Sequence, residues 1–227
     1  MLAKQHILPE DIATSAPIKI RNCSTANSPL VFADIYEEDI NMSIWQRKLE
    51  ASLQKSVHEF IRSQARFQVA MTVSPENTAR ALMDEFATPE HADLAEDIAE
   101  LVDMFCSLFD LTQTGLRLAV IDQAMCPKFH VDKVPCRLVT TYQGIATQWL
   151  PHHAVNRTRL GAGSLGLADS HSGIYQKHDD IQQLKAGDVA LLKGESWHNN
   201  ENAGLVHRSP AMPEGEARLL LTLDFSS

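Results

Sequence analysis

The chain has 227 residues and is 44% hydrophobic and 22% charged, values ordinary for a globular protein and enough to bury a core without metal or disulfide staples. Its 20 Lys and Arg against 29 Asp and Glu give a net charge of −9, the wrong sign for a phosphate-backbone binder, so no nucleic acid is expected as a partner. No apolar run approaches the roughly 20 residues of a membrane helix, and the opening residues contain no apolar core of a secretory signal. The expectation is therefore a cytoplasmic protein whose four cysteines stay reduced.

Up to about residue 33 the hydrophobic pattern is weak and reads as an extended or irregular arm. From about 40 to 64, Ile40, Ile44, Leu49, Leu53, Val57, Phe60 and Ile61 recur at helical spacing, which predicts one amphipathic helix. Ser74-Pro75-Glu76 reads as a cap and first-turn proline opening a short helix through Phe86. Thr88-Pro89-Glu90 repeats that signal, and the stripe Leu94, Ile98, Leu101, Val102, Phe105, Leu108, Phe109 predicts the helix it opens. The other face of that helix is acidic. It reads as a solvated surface, with a protein partner as the alternative.

After Gly115 the period becomes strand-like. Strands are predicted at Leu116–Asp122, Cys136–Gln143, about Ala146–Leu150, Asp188–Leu192, Gly204–His207 and Ala217–Phe225. His152 to Asp180 reads as a long polar loop. The fold class is α+β: a helical region over 1–110 bracing a β-sandwich or barrel over 111–227, together one compact domain.

The chemistry concentrates in Cys126-Pro-Lys-Phe-His130-Val-Asp132-Lys-Val-Pro-Cys136. In an extended segment His130 and Asp132 point to one side and offer a nitrogen and a carboxylate oxygen to one point. With a later histidine, His207 in Gly204-Leu-Val-His207-Arg208-Ser-Pro210, they make a 2-His-1-carboxylate metal site with open positions. Arg218 opens an apolar strand 11 residues after His207, a costly place for a cation unless it meets an anion. Asp122 and Asp224 are the internal candidates for that anion.

This order resembles the iron(II)/2-oxoglutarate dioxygenases over about residues 115–225. The resemblance implies a double-stranded β-helix, or jelly-roll-like, core. It also implies iron(II) on His130, Asp132 and His207, and 2-oxoglutarate held through its distal carboxylate by Arg218, the residue expected to serve both cofactor binding and catalysis. The reaction implied is oxidation of an unidentified small substrate coupled to decarboxylation of 2-oxoglutarate. That family often carries Ser or Thr two residues after the arginine, where this chain has Leu220. Of Tyr142, Gln148 and Trp149 on the strands after the motif, Tyr142 is taken as facing the cofactor.

The whole chain also resembles the bacterial domain of unknown function 1826 family. Phe129–Leu138, Gly187–Gly194, His207–Pro210 and Arg218–Phe225 carry that likeness, which implies a metal-related, zinc-homeostasis context. The alternative function is accordingly a non-enzymatic zinc-binding protein of the same fold. Cys126 and Cys136 flank the motif and would join His130 and Asp132 in a mixed zinc site on that reading. His152, His153, His171, His178, Asp179 and Asp180 are solvated loop residues with a second metal cluster or a lid as the alternative, and Arg157 and Arg159 read as surface charges, with steering of an anionic substrate as the alternative.

Overall fold

The computed structural model describes residues 19–226. Ten strands form two sheets. The larger runs, in spatial order, β1 (Asn22–Ala26), β2 (Ile40–Trp45), β8 (Val189–Lys193), β5 (Cys136–Gln143), β10 (Arg218–Phe225), β4 (Thr114–Ile121), β3 (Gln68–Val73). Only β1 and β2 are parallel. The smaller sheet is β7 (Gln182–Gln183), β6 (Gln148–Leu150), β9 (Val206–Arg208).

Period-2 alternation divides the large sheet into two unlike faces. On β10, Leu219, Leu221 and Leu223 join the main core, while Arg218, Leu220 and Thr222 face a cavity. On β4, Leu116, Leu118 and Val120 face the core, and Arg117, Ala119 and Ile121 the cavity. On β5, Cys136, Leu138 and Tyr142 face the core, and Arg137 and Val139 the cavity. Helices α1 (Ala51–Ser63), α2 (Thr78–Phe86) and α3 (Ala92–Phe109) cover the core face, each through one apolar stripe. In α1 that stripe is Leu53, Val57, Phe60 and Ile61. The aromatic side chains Phe60, Phe67 and Phe86 meet edge-on beneath it.

The mixed helix-and-sheet class and the six predicted C-terminal strands match the structure closely. The N-terminal region differs. It is not purely helical, because it supplies β1, β2 and β3 to the large sheet, so the boundary expected at 110/111 runs through that sheet. The helix expected over 40–64 is β2 followed by α1. The arm over 19–33 holds β1 and the start of a 3-10 turn at Pro29–Tyr36, capped by the Ser28 hydroxyl on the Leu30 N–H. The arm reading over 1–18 lies outside the described residues. Thr88 caps the turn before α3 as expected, but α2 starts at Thr78, because Asn77 Oδ1 accepts the Ser74 N–H and the Thr78 hydroxyl bonds the Ser74 carbonyl. Among the described residues no helix is long and apolar enough to cross a membrane.

The polar stretch 152–180 is built of short 3-10 turns and a four-residue helix, α4 (Asp169–Ser172). Ile174, with Val155, Leu160 and Tyr175 beside it, packs on Phe129, Leu150 and Val206, so this loop presses on the segment carrying the His-x-Asp motif.

Candidate active site

His130 and His207 are paired through their backbones. Each N–H donates to the other's carbonyl at 3.0 Å, which fixes the motif beside β9. From the other side, the turn after β8 clamps the motif loop: Gly194 N–H donates to Pro135 O and Glu195 N–H to Asp132 O, both at 2.9 Å. A side chain at Gly194 would overlap the Val134 carbonyl, so glycine alone permits this approach.

One ligand atom from each of His130, Asp132 and His207 lies within 4.8 Å of the others. His207 Nε2 is 3.4 Å from Asp132 Oδ2, and His130 Nε2 is 3.8 Å from Asp132 Oδ1. The ring hydrogen bonds assign the tautomers. His130 Nδ1 lies 2.9 Å from Lys128 O, and His207 Nδ1 lies 3.3 Å from Leu205 O. A carbonyl can only accept, so both Nδ1 atoms carry a proton and both Nε2 atoms face Asp132. Burial pushes the His207 imidazole down to about 4, with the Asp132 carboxylate only partly opposing, so the ring is neutral near pH 7. Two imidazole nitrogens and one carboxylate, aimed at one point and partly open to a cavity, form a donor set suited to a divalent transition metal.

Asp132 is itself held in place. Arg137 Nη1 donates to its Oδ2 at 2.7 Å while Arg137 Nε and Nη2 grip Asp224 at 2.7 and 2.8 Å. Asp224, an expected partner of Arg218, is thus taken by Arg137. The sequence reading missed Arg137, although alternation from Leu138 places it on the cavity face. Arg208 is likewise consumed, by Asp169 at 2.9 Å and Gln148 at 2.8 Å.

Arg218 is 1% exposed and meets no carboxylate among the described residues. Its Nη2 donates to the Ser209 hydroxyl, its Nη1 to Ile145 O at 3.3 Å, and its Nε is buried without a partner. Burial lowers its pKa to about 10, which still leaves it charged. The cavity it lines, about 110 Å³, is also lined by His130 and His207. Gly144, at φ +94°, lets the chain pass Arg218: a Cβ there would stand 2.6 Å from Arg218 Cβ. Ser209 is a second residue that sequence reading missed. It supplies the hydroxyl that Leu220 does not.

Several expectations are corrected. Tyr142 does not face the cavity. It shares the core face with Leu138, four residues away, and its hydroxyl donates to Asp97 Oδ2 at 2.6 Å beneath α3. Asp97, read as part of a solvated acidic face, is instead a half-hidden anchor for Tyr142 and for both Nη atoms of Arg47. The mixed cysteine site is not assembled. Cys136 is buried on the core face with its thiol pKa pushed up by desolvation, and the clustered donors include no cysteine. The histidines and aspartates of 152–180 form no group of three close donors among the described residues. Arg157, read as a surface charge, bonds Gly204 O at 2.7 Å and is partly buried.

Residues 26–224 match the family described as Protein of unknown function (DUF1826). The chain belongs to that family. No curated protein matches the sequence. Among solved structures, this family member is similar to a dioxygenase for auxin oxidation from rice, at 10% identity over 92% of this chain and 83% of that one, TM-score 0.51. It is similar to dioxygenase for auxin oxidation 1 of Arabidopsis thaliana in a 2-oxoglutarate binary complex, at 8% identity over 91% and 92%, TM-score 0.49. It is similar also to a Pseudomonas putida prolyl-4-hydroxylase, at 14% identity over 87% and 98%, TM-score 0.44. The likeness to the rice enzyme shows a shared fold, the double-stranded β-helix that the resemblance to the iron(II)/2-oxoglutarate dioxygenases implies.

Proposed function

We propose that this protein is an iron(II)/2-oxoglutarate-dependent oxygenase. The observation that carries the reading is that two imidazole Nε2 atoms and a carboxylate converge on the same cavity as a buried arginine with no carboxylate partner. His130, Asp132 and His207 would hold the metal, which when bound supplies the redox chemistry and activates dioxygen.

The chain's own residues do the positioning. The Lys128 and Leu205 carbonyls hold the Nδ1 protons of the two imidazoles and so turn both Nε2 atoms toward the metal position. Arg137 occupies one Asp132 oxygen and leaves the other for the ion, which favours single-oxygen ligation. Arg218 grips the distal carboxylate of 2-oxoglutarate, and its orphan Nε finds an acceptor there. The Ser209 hydroxyl accepts from Arg218 and keeps its own proton to donate to the same carboxylate. Apolar Val139 and Leu192, which line the cavity from β5 and β8, keep water off the co-substrate chain.

The test is turnover of 2-oxoglutarate to succinate and carbon dioxide by protein reconstituted with iron(II), with and without oxygen. Slow uncoupled turnover that requires both iron and oxygen is expected and should vanish in His207→Ala. Tight zinc binding with no 2-oxoglutarate binding would favour the metal-binding alternative instead.

A further inference from the structure

Four arginines line the cavity, and their partners sort them into two kinds. Arg137 and Arg208 are neutralised by aspartates. Arg218 is assigned above to the co-substrate. That leaves Arg117 on β4. It is exposed, yet it lines the same cavity and makes no hydrogen bond or ion pair among the described residues.

Strand register separates the two free cations. Arg218 stands opposite Ile121 on β4, and Arg117 stands opposite Thr222 on β10, four residues further along. At about 3.4 Å per residue their backbones lie about 14 Å apart along the strands. Ala119 and Leu220, directly opposed in register, form the apolar floor between the two cations, and Ile121 lies beside Arg218. Beyond Arg117 the sheet continues to edge strand β3, where Gln68, Ala70 and Thr72 on the same face are all exposed. Arg117 therefore marks the open end of the cavity, and the co-substrate arginine the closed end.

We propose that the primary substrate is an organic acid that enters over β3, pairs its carboxylate with Arg117 and lays its apolar body along Ala119 and Leu220 toward His130 and His207. One guanidinium, with the Thr222 hydroxyl directly opposite it in register, matches a planar carboxylate better than a phosphate dianion, which needs more donors. The choice of oxidised substrate rests on the oxygenase reading. The binding of an acid at Arg117 does not.

The experiment is saturation-transfer NMR with straight-chain carboxylic acids from butyrate to decanoate and phenylacetate, each beside its amide. It uses Arg218→Met protein, which removes the competing cation, and the same protein carrying Arg117→Gln. Arg117 is exposed and unpaired, so the second substitution leaves the circular dichroism spectrum unchanged. Acids should bind and amides should not, with affinity for the acids falling about ten- to a hundred-fold in Arg117→Gln. Equal binding of acids and amides, equal binding with and without Arg117, or no binding of any acid would overturn the proposal. Binding of 2-oxoglutarate to wild-type protein is measured in parallel. Its absence alongside Arg117-dependent acid binding would remove the oxygenase reading and leave the acid site standing.

Discussion

Replacing Arg218 with Met separates a functional cation from a structural one. Burial lowers the Arg218 pKa from its ordinary value to about 10, and at 1.36 kcal/mol per pKa unit this side chain carries on the order of 3 kcal/mol of desolvation cost. Against that stand two hydrogen bonds to neutral groups, Ser209 Oγ and Ile145 O, each worth at most about 1.5–3 kcal/mol. No carboxylate is orphaned when the guanidinium goes, so the large penalty of breaking a buried ion pair, about 3–5 kcal/mol, does not arise. Methionine fills much of the vacated length with an apolar chain. Arg218→Met is therefore expected to leave the stability of metal-free protein unchanged within about 1 kcal/mol or to raise it, while weakening 2-oxoglutarate about ten- to a hundred-fold. Urea unfolding and anaerobic calorimetry with iron(II) read the two quantities independently. A loss of more than about 3 kcal/mol in stability with unchanged 2-oxoglutarate affinity would refute the reasoning and make Arg218 a structural residue.

Three further outcomes are expected. His130→Ala, Asp132→Ala and His207→Ala should each cut metal affinity by more than the roughly 10–100-fold that loss of an outer hydrogen-bond partner costs, whereas Cys126→Ser should leave metal stoichiometry at one, as read by elemental analysis. The His207 pKa is about 4 in the folded protein against 6.5 for a free imidazole, so the unfolded chain binds the extra proton first. Metal-free protein should be at full strength above about pH 6.5 and lose stability as pH falls toward 4, a slope that thermal unfolding should find flattened in His207→Gln. Gly144→Ala should destabilise by more than about 1 kcal/mol, because its φ is +94° and the new Cβ meets Arg218 Cβ at 2.6 Å; chemical denaturation measures this, and 2-oxoglutarate affinity should fall with it.

The C-terminal half was legible because its strands alternate between two buried but different surroundings. On β10 the leucines at 219, 221 and 223 face the helices while Arg218 and Thr222 face the cavity, so charge and hydroxyl mark the second face directly. The N-terminal strands gave no such signal. In β2, Asn41, Met42, Ser43 and Ile44 are all buried because the strand is covered on both faces, so alternation disappears and Ile40 and Ile44 fall by chance on the helical spacing of α1. β1 and β3 are edge strands, half exposed; β1 is short and polar, whereas β3 does alternate, with Val69, Met71 and Val73 toward the core, a signal only six residues long. Within the site, residue types with one chemical role were readable: the His-x-Asp spacing and an arginine opening an apolar strand. Tyr142 was misplaced because strand membership alone was used and its parity with Leu138 was not. Arg137 and Ser209 lie only five and nine residues from Asp132 and Arg218, but each pair is split between a strand and a loop, so strand periodicity alone does not bring them together.

The most direct measurement of the central claim is an anaerobic titration of the purified, metal-free protein with iron(II) followed by 2-oxoglutarate, recorded in the visible spectrum. One equivalent of iron is expected to bind. 2-Oxoglutarate should then produce a metal-to-ligand charge-transfer band that is lost in His207→Ala and needs far more 2-oxoglutarate in Arg218→Met. Iron binding that survives loss of His207, or the absence of any band at saturating 2-oxoglutarate, would contradict it.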